Sequence, residues 1–210
     1  LLDEETKSLF KRCQQESHVA IEDFRSLMYD FSARRVLPRK DVLSIVGRHK
    51  WDKKDLPETY YPYVTTMLEI VGKASGKMQS MIPKHLHGKI WVALVDVLME
   101  HLLEALSRVK KCTNNGRAQM ALDLATLYRG LEQIAAESTQ SNRRNILSSF
   151  IKAYYFDKPE DLLIWMEAGM SDGGEFANDS LLAKRHFLSL VSLEKSPLSK
   201  LSRTKRNDLK

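Results

Sequence analysis

The sequence predicts an all-α protein, and three observations support this prediction. Apolar residues recur at steps of three and four along most of the chain, as they do on one face of an amphipathic helix. The 210 residues contain only nine glycines and six prolines, so few turns are encoded and the elements between them should be long. No stretch alternates apolar and polar residues in the way that a half-buried strand requires.

The first predicted element is a long amphipathic helix that ends before Pro38. One face of this helix carries the apolar residues Leu9, Phe10, Cys13, Ile21, Phe24, Leu27, Met28 and Phe31. Residues 41–46 can add a short helical turn, and the polar stretch 47–58 is predicted to be a loop. We therefore predict an N-terminal helical segment, residues 1–48, and a C-terminal helical bundle, residues 49–193.

Two helices follow this loop, the first between Pro62 and Pro83. The second, over residues 84–112, is the strongest element of the chain. Its apolar residues cover most of the helix circumference, which predicts that it lies at the centre of its bundle. Lys110 and Lys111 fall in its predicted last turn, where positive charge suits the helix dipole.

A short connection leads to the next predicted helix, residues 117–136. Thr113 and Asn114 can cap this helix, and Gly116 permits a tight turn. A connection of about four residues predicts that the helices over 84–112 and 117–136 pack side by side as an antiparallel hairpin.

Three shorter helices are predicted after this hairpin, over residues 146–155, 159–168 and 181–193. The stretch from 194 to 210 is rich in serine and lysine and is predicted to be disordered.

Most of the net charge lies in this tail. Six basic residues and one acid between 195 and 210 account for +5 of the net +6, so the body of the chain is almost neutral and a nucleic-acid-binding domain is not favoured. The tail is either a solubilising end or a weak contact with anionic membrane. The candidate residues for such a contact are Lys195, Lys200, Arg203, Lys205 and Arg206.

The sequence contains no recognisable catalytic or metal-binding pattern. His85 and His87 are two residues apart and would point to different helix faces, and no cysteine or carboxylate completes a ligand set. His101 and Glu104 are spaced as an ordinary pair on one helix. Glycine-rich phosphate loops are absent. We therefore predict a non-enzymatic protein without a cofactor.

Cysteine content and hydropathy bear on the compartment. Cys13 and Cys112 are the only cysteines, and we expect free thiols in a reducing compartment. The longest apolar run is far shorter than the roughly 20 residues that a membrane span needs. These observations predict a cytoplasmic protein.

Two segments carry a resemblance to a known family. Residues 109–123 (VKKCTNNGRAQMALD) and residues 150–155 (FIKAYY) together resemble the C-terminal region of the syndetin family of tethering-complex subunits. Weaker matches at Trp51, Trp91 and Trp165 occur in the same order, and the resemblance extends over roughly residues 50–168.

The resemblance implies both a fold and a function. The implied fold is a set of antiparallel helical bundles stacked into an elongated rod. The implied function is vesicle tethering in endocytic recycling and in endosome-to-Golgi retrograde traffic, as a peripheral protein of recycling endosomes and the trans-Golgi network. The implied partners are the subunits shared with the Golgi-associated retrograde complex, together with SNARE proteins. Membrane contact by the basic tail is not implied by the resemblance.

Within the matching motifs we expect structural rather than catalytic roles. Arg117 and Asp123 lie where charge-assisted hydrogen bonds can tie neighbouring helices. Tyr154 and Tyr155 either line a helix–helix groove or contact a partner. The full set of expected structural residues is Lys110, Lys111, Thr113, Gly116, Arg117, Asp123, Tyr154 and Tyr155. The main alternative is another helical scaffold, such as an exocyst-like tethering subunit; an enzyme or a nucleic-acid binder is less favoured.

Overall fold

The computed structural model describes residues 3–134, 143–156, 158–174, 177, 180–187 and 190. Its α-helices are α1 (Glu4–Val36), α2 (Arg39–Gly47), α3 (Tyr63–Met81), α4 (His87–Ser107), α5 (Asn114–Ile134), α6 (Arg143–Ala153), α7 (Pro159–Met170) and α8 (Ser180–Phe187). Since the described residues contain no strand, the all-α prediction is confirmed. The stacking of bundles into a rod stays a prediction.

The long first helix has the end signals that its sequence encodes. Asp3 precedes α1 and its Oδ1 accepts a hydrogen bond of 2.9 Å from the backbone N of Thr6, which satisfies one of the free N–H groups of the first turn. Acidic residues occupy the first turn and Arg34 and Arg35 the last, so both ends complement the helix dipole. Pro38 follows the helix and prevents its continuation.

Helix α4 is the centre of the bundle, as its apolar circumference predicts. It packs against α1, α2, α3, α6 and α8. Leu94, Leu98 and Leu103 on this helix are completely buried. The helix is shorter than predicted, however, because a 3-10 turn occupies Lys84–Leu86 and the helix ends at Ser107.

The predicted hairpin of α4 and α5 is wrong. Helix α5 packs against α3 and α6 and does not lie along α4. The connection is longer than the four residues assumed, since residues 108–113 are not helical. Part of the loop between α2 and α3 also reaches this connection, where the backbone N of Thr113 donates a 3.1 Å hydrogen bond to the carbonyl of Trp51.

The end of α1 and the whole of α2 share the core that surrounds α4. Ala33, Val42 and Val46 are buried in that core. Arg34 of α1 donates hydrogen bonds of 3.0 and 2.6 Å to the two carboxylate oxygens of Glu100 on α4. Residues 33–47 are therefore attached to α4 both by apolar packing and by charge.

Candidate protein-contact surface

The loop between α2 and α3, residues 48–62, is held in place by the start of α5. Thr113 makes two bonds to it: its backbone N donates to the carbonyl of Trp51, and its Oγ1 donates to the carbonyl of Lys53 at 2.6 Å. The same Oγ1 accepts a 3.1 Å bond from the backbone N of Gly116, which is the geometry of a helix N-cap. One threonine thus caps α5 and fixes the loop.

Gly116 has a different role from the tight turn that its position suggested. It lies inside α5, and in the described residues a positive φ occurs only at Gly173. A Cβ on Gly116 would lie 1.8 Å from the carbonyl oxygen of Trp51. The glycine is therefore required by the close approach of the loop backbone rather than by a turn conformation.

Asp123 fixes the other end of the loop. Its Oδ1 accepts hydrogen bonds of 2.9 Å from the backbone N of Tyr61 and 2.8 Å from Nε2 of Gln119. Gln119 Nε2 also donates to the carbonyl of Thr59, and its Oε1 accepts from Nζ of Lys53. Burial raises the pKa of the Asp123 carboxyl.

Gln119 is a part of this network that the sequence did not single out. The available signal was its spacing, because residues four apart on a helix lie on one face and Gln119 precedes Asp123 by four. Both side chains are completely buried. A buried amide needs partners, and here the loop supplies them.

Arg117 joins the two motifs that are separate in the sequence. Its guanidinium donates to the carbonyl of Tyr154 just after α6, and to Oδ1 of Asn114 at 2.6 Å. It also lies 5.0 Å from the ring centroid of Tyr155, within the range of a cation–π interaction. Arg117 and Asp123 thus bind different elements, α6 and the loop, and together fix α5 between them.

The remaining predicted residues are not part of this network. Lys110 and Lys111 are exposed and follow the end of α4, in the connection rather than in the last helical turn. The tail residues Lys195, Lys200, Arg203, Lys205 and Arg206 lie outside the described residues.

The most unusual surface of the described molecule is one face of α1. We use the name α1 stripe for the eight residues Leu9, Phe10, Cys13, Ile21, Phe24, Leu27, Met28 and Phe31, all of which are exposed. Its three phenylalanines are each more than 60% exposed. The amphipathic pattern of the sequence indicated a face that packs against other apolar residues. Among the described residues nothing covers this face, and its side chains are exposed to solvent.

Helix α1 uses its opposite face to join the bundle. Glu22 forms a 2.8 Å salt bridge with Lys89, and Ala33 is completely buried. Successive residues of an α-helix are about 100° apart around its axis. Glu22 is two residues from Phe24 and Ala33 is two residues from Phe31, so each lies about 200° from its stripe neighbour, on the opposite side of the helix. The helix is therefore attached along one side and presents its larger apolar side to the outside.

The α1 stripe is large enough for a protein interface. From the exposed fractions of its seven large side chains, and taking about 200 Å² for each side chain, roughly 800 Å² is open. A standard interface buries about 800 Å² on each partner, and isolated apolar patches on monomers are typically about 300–600 Å². The stripe thus has the dimensions of one half of a specific complex.

Metal-ligand clusters, the buried thiol and a buried histidine are the features of the described residues that bear on chemistry. The described residues contain no group of three or more histidine, cysteine, aspartate or glutamate residues arranged for a metal ion. Cys112 is buried, and burial raises the pKa of its thiol to about 12, which makes it unreactive. His101 is buried, burial lowers its pKa, and its Nδ1 has no hydrogen-bond partner among the described atoms. No described helix has the length and apolarity to cross a bilayer.

Comparison with known proteins gives a consistent result. The family described as "Syndetin, C-terminal" matches residues 1–210. Syndetin of Gallus gallus is 24% identical over 150 residues, and syndetins of Mus musculus and Rattus norvegicus are 23% identical over the same length. These matches cover 69% of this chain but only 15–16% of each relative, so the chain corresponds to a small part of those proteins. No solved structure matches.

Proposed function

The chain belongs to the syndetin family, and on that basis we propose that it is a non-enzymatic helical part of a vesicle-tethering complex. Its role is in endocytic recycling and endosome-to-Golgi retrograde traffic, on the cytoplasmic side of recycling endosomes and the trans-Golgi network. Its partners are the subunits shared with the Golgi-associated retrograde complex and, through the assembled complex, SNARE proteins. The family match, which spans residues 1–210, supports this proposal.

The observation that carries the proposal is the open α1 stripe. A scaffold subunit needs a surface for its neighbours, and the stripe is a preformed helical face of suitable area. We assign to it an amphipathic helix of another subunit, packed against α1 in the manner of a coiled coil.

A second copy of this chain offers no complementary charge to the acidic residues at the edge of the α1 stripe. Glu16, Asp23 and Asp30 recur every seven residues along one edge. Glu16 is paired with Arg12 and Asp30 with Arg34 of the same helix, so Asp23 is the carboxylate of this edge without an ion pair among the described residues. In an antiparallel pair of copies this acidic edge would face itself, and in a parallel pair it would face Gln14, Ile21 and Met28, which carry no positive charge. A partner helix with basic residues along one edge complements it.

The test is binding of the purified chain to the co-expressed subunits shared with the Golgi-associated retrograde complex. The variant Phe10→Ser, Phe24→Ser and Phe31→Ser removes the largest side chains of the stripe. We expect it to keep the helical spectrum of the parent, because these side chains are exposed, and to lose at least about tenfold in affinity, since such anchors dominate interfaces.

A matched control replaces three exposed apolar residues outside α1, Leu56, Met81 and Leu181, by serine. The control should bind like the parent. The proposal would be overturned if both variants bind the subunits equally well. It would also be overturned if light scattering shows that the stripe holds two copies of the chain together.

We further propose that the tail, residues 195–210, adds a weak contact with anionic lipid. Each basic residue near such a surface contributes roughly 1 kcal/mol, and the contact weakens with salt. Flotation with phosphatidylserine vesicles at low salt should recover the parent and not a variant that lacks these residues. Equal recovery of the two proteins would rule the contact out.

A further inference from the structure

A second surface, independent of the α1 stripe, lies where the end of α4 meets the loop between α2 and α3. A groove of about 780 Å³ is bounded by Leu43 and Gly47 of α2, by residues 49–52, and by Ala105 with residues 108–111. Its volume is in the range of sites that hold a ligand or a short peptide. We call it the basic groove.

The lining of the basic groove combines an apolar floor with positive charge. Leu43, Ala105 and Val109 supply apolar surface that is buried or half-buried. The cationic lining residues are Lys50, Arg108, Lys110 and Lys111, and the acidic one is Asp52. A groove of this composition is complementary to a ligand that is both acidic and partly apolar.

Most of this positive charge is uncommitted. Arg108 donates a 2.6 Å hydrogen bond to Glu104, which is also paired with Arg39. By contrast, the side chains of Lys50, Lys110 and Lys111 form no ion pair or hydrogen bond with any described residue. Three lysines without an ion pair among the described residues therefore line one groove, and Asp52 is the one acidic residue in that lining.

The loop wall of the groove is fixed before any ligand arrives. The hydroxyl of Tyr61 donates a 2.6 Å bond to the carbonyl of Lys50, and Thr113 holds the carbonyl of Trp51. Gly116 provides the space that this packing needs. A preformed wall reduces the ordering cost of binding, so the network that fixes the loop also prepares the groove.

The indole of Trp51 adds a further polar feature. Trp51 lines the groove and is 4% exposed, and its Nε1–H is buried with no acceptor among the described residues. Because this nitrogen is covered within the preformed wall, an incoming chain meets the exposed lysines of the groove rather than the indole N–H.

From these observations we propose that the basic groove binds an acidic peptide segment of a partner protein. Carboxylates of the segment lie against the lysines, and an aliphatic side chain lies on the apolar floor. A peptide fits better than a lipid surface because the apolar floor is inside a concave groove, which a planar surface does not reach.

The probe for this proposal is a short fluorescein-labelled peptide in which glutamate alternates with leucine. Its binding to the complete chain is measured by fluorescence anisotropy. The test variant is Lys110→Glu with Lys111→Glu. The matched control is Lys73→Glu with Lys77→Glu, which reverses the same charge at two positions of α3. We expect about a tenfold loss of affinity in the test variant and less than about a twofold change in the control.

Because Lys110 and Lys111 also follow the end of α4, their reversal can affect stability through the helix dipole. Lys50→Glu changes the groove from the loop side and should weaken peptide binding with no change in melting temperature. Replacing glutamate by glutamine in the peptide should abolish binding, and added salt should weaken it.

Four results would overturn the proposal. The first is that the peptide does not bind, and the second is an equal loss of affinity in both lysine-pair variants. The third is competition by inorganic phosphate as strong as that by unlabelled peptide. The fourth is binding of phosphatidylserine vesicles that depends on the groove lysines and that the peptide does not displace. The third result would indicate a simple phosphate site, and the fourth a membrane site.

Discussion

Single side chains explain why the α2–α3 loop and α5 remain together. Thr113 satisfies two backbone groups of the loop and one of the helix through short local bonds. Asp123 and Gln119 provide the second attachment. The first attachment depends on the absence of a side chain at Gly116, since the carbonyl of Trp51 occupies the position that a Cβ would take.

Gly116→Ala should therefore lower the free energy of unfolding by about 1–3 kcal/mol or more, because the loop backbone has to move and its bonds to Thr113 are lost. Gly76→Ala is the matched control. Gly76 lies in α3, and a Cβ added there would meet nothing within 4 Å, so alanine should raise stability by up to about 1 kcal/mol. Urea denaturation measures the free energy of unfolding of both variants. An unchanged value for Gly116→Ala would contradict the close packing of Gly116 against the carbonyl of Trp51.

Glu104 links stability to pH. Hydrogen bonds from Arg39 on α2, together with one from Arg108, lower the pKa of Glu104 to about 2. A carboxyl whose pKa is depressed by folding stabilises the fold above its ordinary pKa, and this contribution is lost as the pH falls towards about 2.

Glu104→Gln should lower the melting temperature by about 2–4 °C at neutral pH, because both partners are partly exposed, and should make the acid limb of the pH profile shallower. Glu69→Gln serves as the control, since Glu69 is an exposed glutamate of α3 without an ion pair among the described residues. Parallel acid limbs for the parent and Glu104→Gln would show that this link between α2 and α4 does not contribute.

Among the helices, α4 determines the architecture. It packs against helices from both ends of the chain and contains the densest set of fully buried apolar residues. Its apolar circumference was sufficient to predict this central position. Its ends were not predictable in the same way, because the loop that meets residues 108–113 comes from a distant part of the sequence.

Leu98→Ala should lower the free energy of unfolding by about 2–5 kcal/mol, since Leu98 is completely buried and its truncation leaves a cavity. The same substitution at Leu56, which is 74% exposed, should change stability by less than about 0.5 kcal/mol. Equal effects in thermal denaturation would mean that α4 is not the core helix.

The position of α5 shows what periodicity cannot reveal. The sequence located this helix and its N-cap, and short connections usually produce adjacent antiparallel helices. Helix α5 nevertheless packs on α3 and α6. The reason lies in long-range polar contacts, such as the bond from Arg117 to the carbonyl of Tyr154, which no local pattern encodes.

Among the described residues, the α1 stripe and the basic groove are two surfaces that the fold leaves uncommitted. The sequence revealed the residues of the stripe but not their exposure, because a periodic pattern is the same whether a face packs inside the molecule or against a partner. The groove was even less predictable, since its lysines come from two segments about 60 positions apart.

A native difference between the two cysteines allows the stripe to be tested in solution. Cys13 is exposed within the α1 stripe, whereas Cys112 is buried and the pKa of its thiol is raised to about 12. A maleimide should therefore label Cys13 in the folded protein and leave Cys112 unmodified.

The decisive measurement is the labelling rate of Cys13 with and without the subunits shared with the Golgi-associated retrograde complex. If a partner helix covers the stripe, labelling should slow at least about tenfold in the complex, while an unrelated helical protein leaves the rate unchanged. An unchanged rate in a complex that demonstrably contains this chain would mean that the stripe does not contact those subunits.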